Sequence, residues 1–280
     1  MSSATADPNP AKTMYLPEIL AHTRELVAVR KASADLATME RAAAAHTPRG
    51  FAKALRAKAA SEGIGVIAEL KKASPSRGLI RADFDPSSLA RELEQAGAAV
   101  LSVLTDEKFF QGSLENLRLA SAAVSIPCLR KDFIVDEFQI LEARANHADA
   151  ILLIVAALTD EELRTLRHTA RRYQLDVLCE VHDAHELTRA KALDCECVGV
   201  NSRDLRTFEV SMDRMCALGE HLPRNAVRVA ESGIHTRADV ERVIAAGYEA
   251  ILVGESLMRK EHPGQALRDL LGNSKEVATA

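Results

Sequence analysis

The sequence predicts an α/β protein: a (β/α)8 TIM barrel with an N-terminal helical extension. Eight short apolar runs rich in Val, Ile and Leu recur between residues 64 and 253. They barely alternate in polarity, as strands buried on both faces do. An amphipathic stretch follows each run, and eight strands alternating with eight helices close into a barrel. Charged residues gather at the C-terminal ends of the runs, where such barrels carry their chemistry. A doubly wound open sheet competes, but it usually has fewer strands and a nucleotide fingerprint, and neither G-x-G-x-x-G nor a Walker loop follows the first run.

Along the chain, residues 1–12 are rich in Ser, Ala, Pro and Asn and are expected to form a disordered tail. They lack the basic start and apolar stretch of a secretory signal. Residues 13–280 are expected to form a single barrel domain, with 13–62 as the extension. Leu16–Ala32, Ala34–His46 and Phe51–Ala60 are its predicted helices. Three short helices cannot bury enough surface alone, so they are expected to cover part of the barrel. The predicted strands are Ile64–Leu70, Ala99–Leu104, Ile126–Leu129, Ala150–Val155, Asp176–Val181, Cys197–Val200, Val227–Ala230 and Ala250–Val253. The helices between them are Pro86–Ala96, Leu114–Ala123, Glu137–Asn146, Asp160–Tyr173, Ala184–Leu193, Met212–Leu218, Arg237–Ala246 and Gly264–Leu271. Asp85, Ser113, Asp136, Thr159, Asp183 and Thr236 precede them as N-caps, and Gly97 and Gly247 stand where C-caps fall.

Composition narrows the function. The 280 residues are 47% hydrophobic and 27% charged, with net charge -4. No global basic field recruits nucleic acid, and no apolar run approaches the roughly 20 residues of a membrane span. Five cysteines without paired spacing argue against a disulfide framework and fit a reducing cytoplasm. No metal site is expected: Cys195-Glu-Cys197 is not zinc spacing, and His182 and His185 lack the four-residue separation of helical zinc pairs.

The strand ends carry the chemistry. Alternation turns Glu69 and Lys71 to one face at the end of the first strand. The second strand runs into Thr105-Asp106 and the loop Phe109–Gly112, and the third into Arg130-Lys131-Asp132-Phe133. Glu180 ends the fifth, Asn201-Ser202-Arg203 the sixth, Glu231-Ser232-Gly233 the seventh and Gly254-Glu255-Ser256 the eighth. In a barrel these converge on one rim, where the lysines, Arg203 and the glutamates nearly balance in charge. Repulsion between Lys71 and Lys131 lowers a lysine pKa and the glutamates raise it; the glutamates are expected to keep Lys131 charged, as a general acid requires. Ser232-Gly233 and Gly254-Glu255, with a short helix over Gly254–Arg259, have the register of a barrel phosphate site, which points to a phosphate ester. Phe110, Phe133, Leu152, Ile154 and Leu205 are candidates for an apolar wall, suited to a flat aromatic ligand.

These blocks together resemble the indole-3-glycerol-phosphate synthase family of tryptophan biosynthesis. The resemblance runs from about Leu16 to Leu271. It is carried by A-E-L-K-K-A-S-P-S-R-G (68–78), S-V-L-T-D-E-K-F-F-Q-G-S (102–113), L-R-K-D-F-I-V-D (129–136), C-E-V-H-D (179–183), G-V-N-S-R-D-L-R-T-F (199–208), A-E-S-G-I (230–234) and L-V-G-E-S-L-M-R (252–259). Departures are small: Val200 and Ser202-Arg203-Asp204 vary the common G-I-N-N-R-N-L pattern, and Ala230 replaces a frequent serine. The resemblance implies a cofactor-free lyase that closes and decarboxylates 1-(2-carboxyphenylamino)-1-deoxyribulose 5-phosphate. It implies Lys131 as main general acid, Glu180 in proton transfer during dehydration, and Lys71 steering the anthranilate carboxylate and as candidate second acid. Glu69 and Asn201 would orient Lys131 and the substrate hydroxyls, and Glu231 and Ser232 would complete the polar shell. Arg203 would help bind the carboxylate. Ser74, Gly233, Gly254 and the Glu255 backbone would hold the phosphate, and Phe110, Phe133 and Leu152 would clasp the ring. Lys72 and Arg77 gain no role and are expected to be solvated. The partner expected is a phosphorylated small molecule, with the protein a monomer or weak homodimer. Phosphoribosylanthranilate isomerase chemistry is disfavoured, because it needs a Cys and Asp pair where the first strand offers Glu and Lys. A non-catalytic metabolite-binding protein is disfavoured by the presence of both Lys131 and Glu180.

Overall fold

The computed structural model describes residues 16–204 and 209–273; the predicted tail over residues 1–12, and Leu205 of the predicted apolar wall, lie outside them. Eight parallel strands, β1 (Gly65–Leu70), β2 (Val100–Leu104), β3 (Cys128–Lys131), β4 (Ala150–Ile154), β5 (Asp176–Val181), β6 (Cys197–Asn201), β7 (Val227–Glu231) and β8 (Ala250–Val253), form a closed barrel. Each pairs with its neighbours in sequence, and β1 closes on β8 through Gly65 opposite Ala250. The fold is the predicted TIM barrel.

Helices α1 (Leu16–Ser33), α2 (Leu36–Ala45) and α3 (Phe51–Glu62) precede the barrel. Around it run α4 (Pro86–Gln95), the short α5 (Glu107–Phe110), α6 (Leu114–Ala123), α7 (Glu137–Ala145), α8 (Asp160–Arg172), α9 (Ala184–Lys191), α10 (Met212–Gly219), α11 (Arg237–Ala245), α12 (Glu255–Met258) and α13 (Pro263–Leu271). All six predicted N-cap side chains accept a backbone N–H of the first turn, which satisfies donors a helix start leaves open.

Two apolar cores follow from strand alternation. One lies between the strands and the surrounding helices; the other fills the barrel. Phe51, Ala52 and Leu55 of α3 join the inner core with Ile67, Val100, Leu129 and Val229, so α3 plugs the barrel floor. Arg49, just before α3, holds the fully buried Asp149 at 2.5 Å. Arg30 and Lys31 of α1 pair with Glu142 of α7 at 3.0 Å and with Asp136, its N-cap, at 2.9 Å.

Several local expectations are corrected. β3 starts at Cys128 rather than Ile126, since Pro127 has no N–H for the ladder. It runs on to Lys131, because Arg130 and Lys131 continue the pairing with Val103 and Leu104. The predicted loop at Phe110 contains α5, started by Asp106, whose carboxylate accepts the Phe109 N–H at 2.6 Å. The predicted Ser-Pro-Ser turn is the tip of a small hairpin pairing Ala73–Ser74 with Gly78–Leu79. α2 begins at Leu36, capped by Asp35, not at Ala34.

Candidate active site

Residues of one parity point into the barrel. On the odd-numbered strands these are Ile67, Leu129, Leu178 and Val229, all buried in the inner core. Parallel barrels fill in layers contributed by alternate strands. Two residues further along the same strands stand Glu69, Lys131, Glu180 and Glu231. The site is therefore the top layer of the barrel filling, with charged side chains in apolar positions. Room for it comes from the even strands. A Cβ on Gly199 of β6 would overlap the Glu231 carboxylate, and one on Gly254, after β8, would stand 2.5 Å from Glu69 Oε1.

Lys131 occupies the centre of this layer. Its Nζ lies 2.9 Å from Glu231 Oε2, 3.5 Å from Glu180 Oε2 and 3.8 Å from Glu69 Oε2. Lys71 pairs with Glu69 Oε1 at 2.5 Å. Burial presses the Lys131 pKa down, but Glu231, Glu180 and Glu69 together outweigh it, and the ammonium is held above the ordinary lysine value. The lysine–glutamate balance left open by the sequence is thus settled by geometry. Burial likewise opposes ionisation of Glu69, and Lys71 and Lys131 overcome it. Lys131, His182 and hydrogen bonds from Glu231 and Asn201 do the same for Glu180. Glu231 goes the other way. Burial, reinforced by Glu180, outweighs Lys131 and pushes it up to about 8, so of the three glutamates it is the last to give up its proton.

The residues flanking Lys131 point outward. Arg130 is fully buried, 2.8 Å from Asp132 and 3.3 Å from Glu142 of α7. Thr105 donates to Asp132 at 2.7 Å. This paired network fixes the end of β3, and with it the root of Lys131.

Next to the charged layer, the Phe110 and Phe133 rings lie 6.4 Å apart with Leu152 below, an apolar slot. On the opposite wall Ser232 and Gly233 take successive left-handed conformations, φ 68° and 75°, and Ser202 Oγ donates to the Ser232 carbonyl at 3.0 Å. Gly254 leads into α12. The Glu255 carboxylate gathers Arg259 at 3.0 Å, Arg77 at 3.2 Å and Arg203 at 4.0 Å. Arg77 is therefore not a purely solvated charge. Ser74, in the hairpin, is buried with its Oγ unpartnered.

Every sequence-predicted site residue within the described chain lines one cavity of about 190 Å³. The cavity also takes Leu16 and Ile19 of α1, Asp106 and His235, which sequence reasoning gave no role. The strand-end rule placed Asp106 on the rim without a role. No local signal marks Leu16 or Ile19, whose place depends on where α1 docks. Among the described residues no cluster of three or more His, Cys, Asp or Glu is arranged to hold a metal ion; His182 faces Glu180 and Glu186.

Comparison with known proteins shows the family. The family model described as indole-3-glycerol phosphate synthase matches residues 16–270. A protein of Koribacter versatilis named indole-3-glycerol phosphate synthase is 60% identical over 257 residues, covering 92% of this chain and 98% of that protein. One of Acinetobacter baumannii with the same name is 48% identical over 264 residues, covering 94% and 97%. Among solved structures, 3-hexulose-6-phosphate synthase matches with TM-score 0.60 at 14% identity over 75% of this chain and 99% of that one. A tryptophan synthase alpha-subunit from Pyrococcus furiosus matches with TM-score 0.57 at 14% identity over 74% and 98%. At that identity these two structures speak to the barrel fold alone.

Proposed function

The chain belongs to the indole-3-glycerol phosphate synthase family, and on that premise we propose how its rim divides the work of the reaction. The enzyme closes and decarboxylates 1-(2-carboxyphenylamino)-1-deoxyribulose 5-phosphate to indole-3-glycerol phosphate, CO2 and water, in tryptophan biosynthesis. One observation carries the assignment of roles: a buried ammonium, Lys131, is ringed by Glu231, Glu180 and Glu69 beside an apolar slot.

Ring closure needs an acid at the keto carbon while the aromatic carbon attacks. Lys131 supplies that proton to the keto oxygen, as the protonated centre of the layer. The aromatic ring lies between Phe110, Phe133 and Leu152. Lys71 and Arg203 draw the anthranilate carboxylate. Loss of CO2 restores aromaticity at the ring carbon, which drives that step. Glu180, kept ionised by Lys131 and His182, takes a proton in the dehydration that follows, while Lys71 as second acid protonates the hydroxyl that leaves as water. Glu69 and Asn201 orient Lys131 and the substrate hydroxyls, and Glu231 and Ser232 complete the polar shell. The backbone of Gly233, Gly254 and Glu255, with the free hydroxyl of Ser74, holds the phosphate. The helical extension over residues 13–62 works within the same domain, since Leu16 and Ile19 line the cavity. The protein works without a cofactor, in the cytoplasm, as a monomer or weak homodimer. No helix among the described residues is long and apolar enough to cross a membrane.

The test is conversion of the carboxyphenylamino sugar phosphate to a fluorescent indole product by EDTA-treated, folded protein. Absence of product would overturn the assignment.

A further inference from the structure

His182 follows Glu180 by two residues, just past the end of β5. It does not line the cavity, and the roles above use it only as one of the charges beside Glu180. Its surroundings are nevertheless built. The Glu186 carboxylate, from the first turn of α9, accepts the His182 backbone N–H at 2.8 Å and contacts Nδ1 at 3.0 Å. Glu186 is itself oriented, because its backbone N–H donates to the capping carboxylate of Asp183 at 2.8 Å. With Nδ1 so engaged, the ring has one direction open to it, and Nε2 points to Glu180 Oε1 at 3.5 Å. That nitrogen is buried and has no hydrogen-bond partner. The other oxygen of Glu180 faces Lys131.

We propose that His182 is a positioning residue for catalysis: Glu186 clamps its imidazole so that Nε2 meets the face of Glu180 turned away from Lys131, fixing that carboxylate and keeping it ionised. Glu180 then sits between Lys131 of β3 and the imidazole that follows its own strand. The inference rests on the reading of Glu180 as the proton-accepting carboxylate. A merely structural histidine would need only the Glu186 contact and would have no reason to aim a buried, unpartnered nitrogen at the site.

The groups facing His182 are Glu186 from α9, Glu180 from β5 and Glu231 from β7, with Lys131 of β3 beyond Glu180. Burial lowers the imidazole pKa, and Glu186, Glu180 and Glu231 together more than reverse this. The carboxylates around the ring thus favour its charged form.

Two readouts test the proposal. In the first, kcat and kcat/KM are followed against pH for wild type and His182→Ala. The expected result is a kcat roughly tenfold lower with KM within about twofold, and an acidic limb displaced upward by about one pH unit, because Glu180 loses a cation. An unmoved acidic limb, or a rise in KM with kcat unchanged, would overturn it. Should His182→Ala fail to fold, Glu186→Ala keeps the ring but removes its clamp, and the limb is expected to move the same way. The second readout needs no substrate. The ring nitrogens of His182, followed by 15N NMR in the free protein, are expected to titrate above the ordinary value of 6.5 and to fall toward it in Glu180→Gln. A titration identical in both proteins would overturn the coupling. Lack of turnover by wild type would count against the reaction, and the NMR comparison would still decide the role of His182.

Discussion

Lys131 Nζ and Glu231 Oε2 stand 2.9 Å apart, yet their strands, β3 and β7, lie across the barrel from each other, with three strands between them either way round. The contact spans the interior, so each strand end holds the other's charged group in place. Burial and the neighbouring Glu180 make Glu231 the glutamate of the layer that holds its proton longest.

Glu231 therefore links stability to pH. Its folded-state pKa, about 8, lies above its ordinary value of 4.5. The native state holds a proton between those limits that the unfolded chain has released. The stability contributed is full below about pH 4.5 and is lost as pH rises to about 8, at up to ~1.4 kcal/mol per unit. Denaturant titrations of wild type and Glu231→Gln should show the wild-type advantage shrinking across that window. A constant difference would count against the raised pKa.

Gly254 makes room for Glu69. In Gly254→Ala the new Cβ, 2.5 Å from Glu69 Oε1, must push the carboxylate away from Lys71. The expected cost is about 1–3 kcal/mol of stability, with kcat lowered as well. Thermal melts and steady-state rates check both; a variant equal to wild type in each would show that Glu69 has slack the geometry denies.

The aromatic slot is a binding element in this account. Phe110→Ala should raise KM about tenfold while changing kcat less, the pattern left by loss of uniform binding. A variant with unchanged KM would take Phe110 out of substrate contact.

Much of the site was legible in the sequence because alternation along a buried strand is strict. Once Ile67 is inside, Glu69 and Lys71 must be, and the same parity carries Lys131, Glu180, Asn201 and Glu231 inward. Glycine was legible only in part. Gly254 read as backbone access for a phosphate, while its second task, clearing space for Glu69, depends on a neighbouring strand. The raised pKa of Glu231 could not be read, since it follows from complete burial and the nearness of Glu180. Nor could the placing of Leu16 and Ile19, because helix periodicity marks a face but not what covers it. Arg77 looked like a solvated charge, as its partner Glu255 lies far along the chain.

The floor of the barrel should be separable from its rim. Arg49 is the main counter-charge of Asp149, which is wholly buried. Arg49→Ala leaves that carboxylate underpaired at an expected cost of about 3–5 kcal/mol. The molecules that remain folded should keep wild-type kcat, checked by urea melts together with active-site titration. A fall in kcat matching the fall in stability would show that floor and rim are coupled.

The central claim is that Lys131 gives the proton for ring closure. The most direct measurement is kcat of Lys131→Arg beside Lys131→Met. Arginine keeps the positive charge among the glutamates but releases a proton far less readily. Both variants are expected to lose about 10² to 10⁴ in kcat, with KM changed much less. An arginine variant that turns over like wild type would contradict the claim and reduce Lys131 to a charge that holds the layer together.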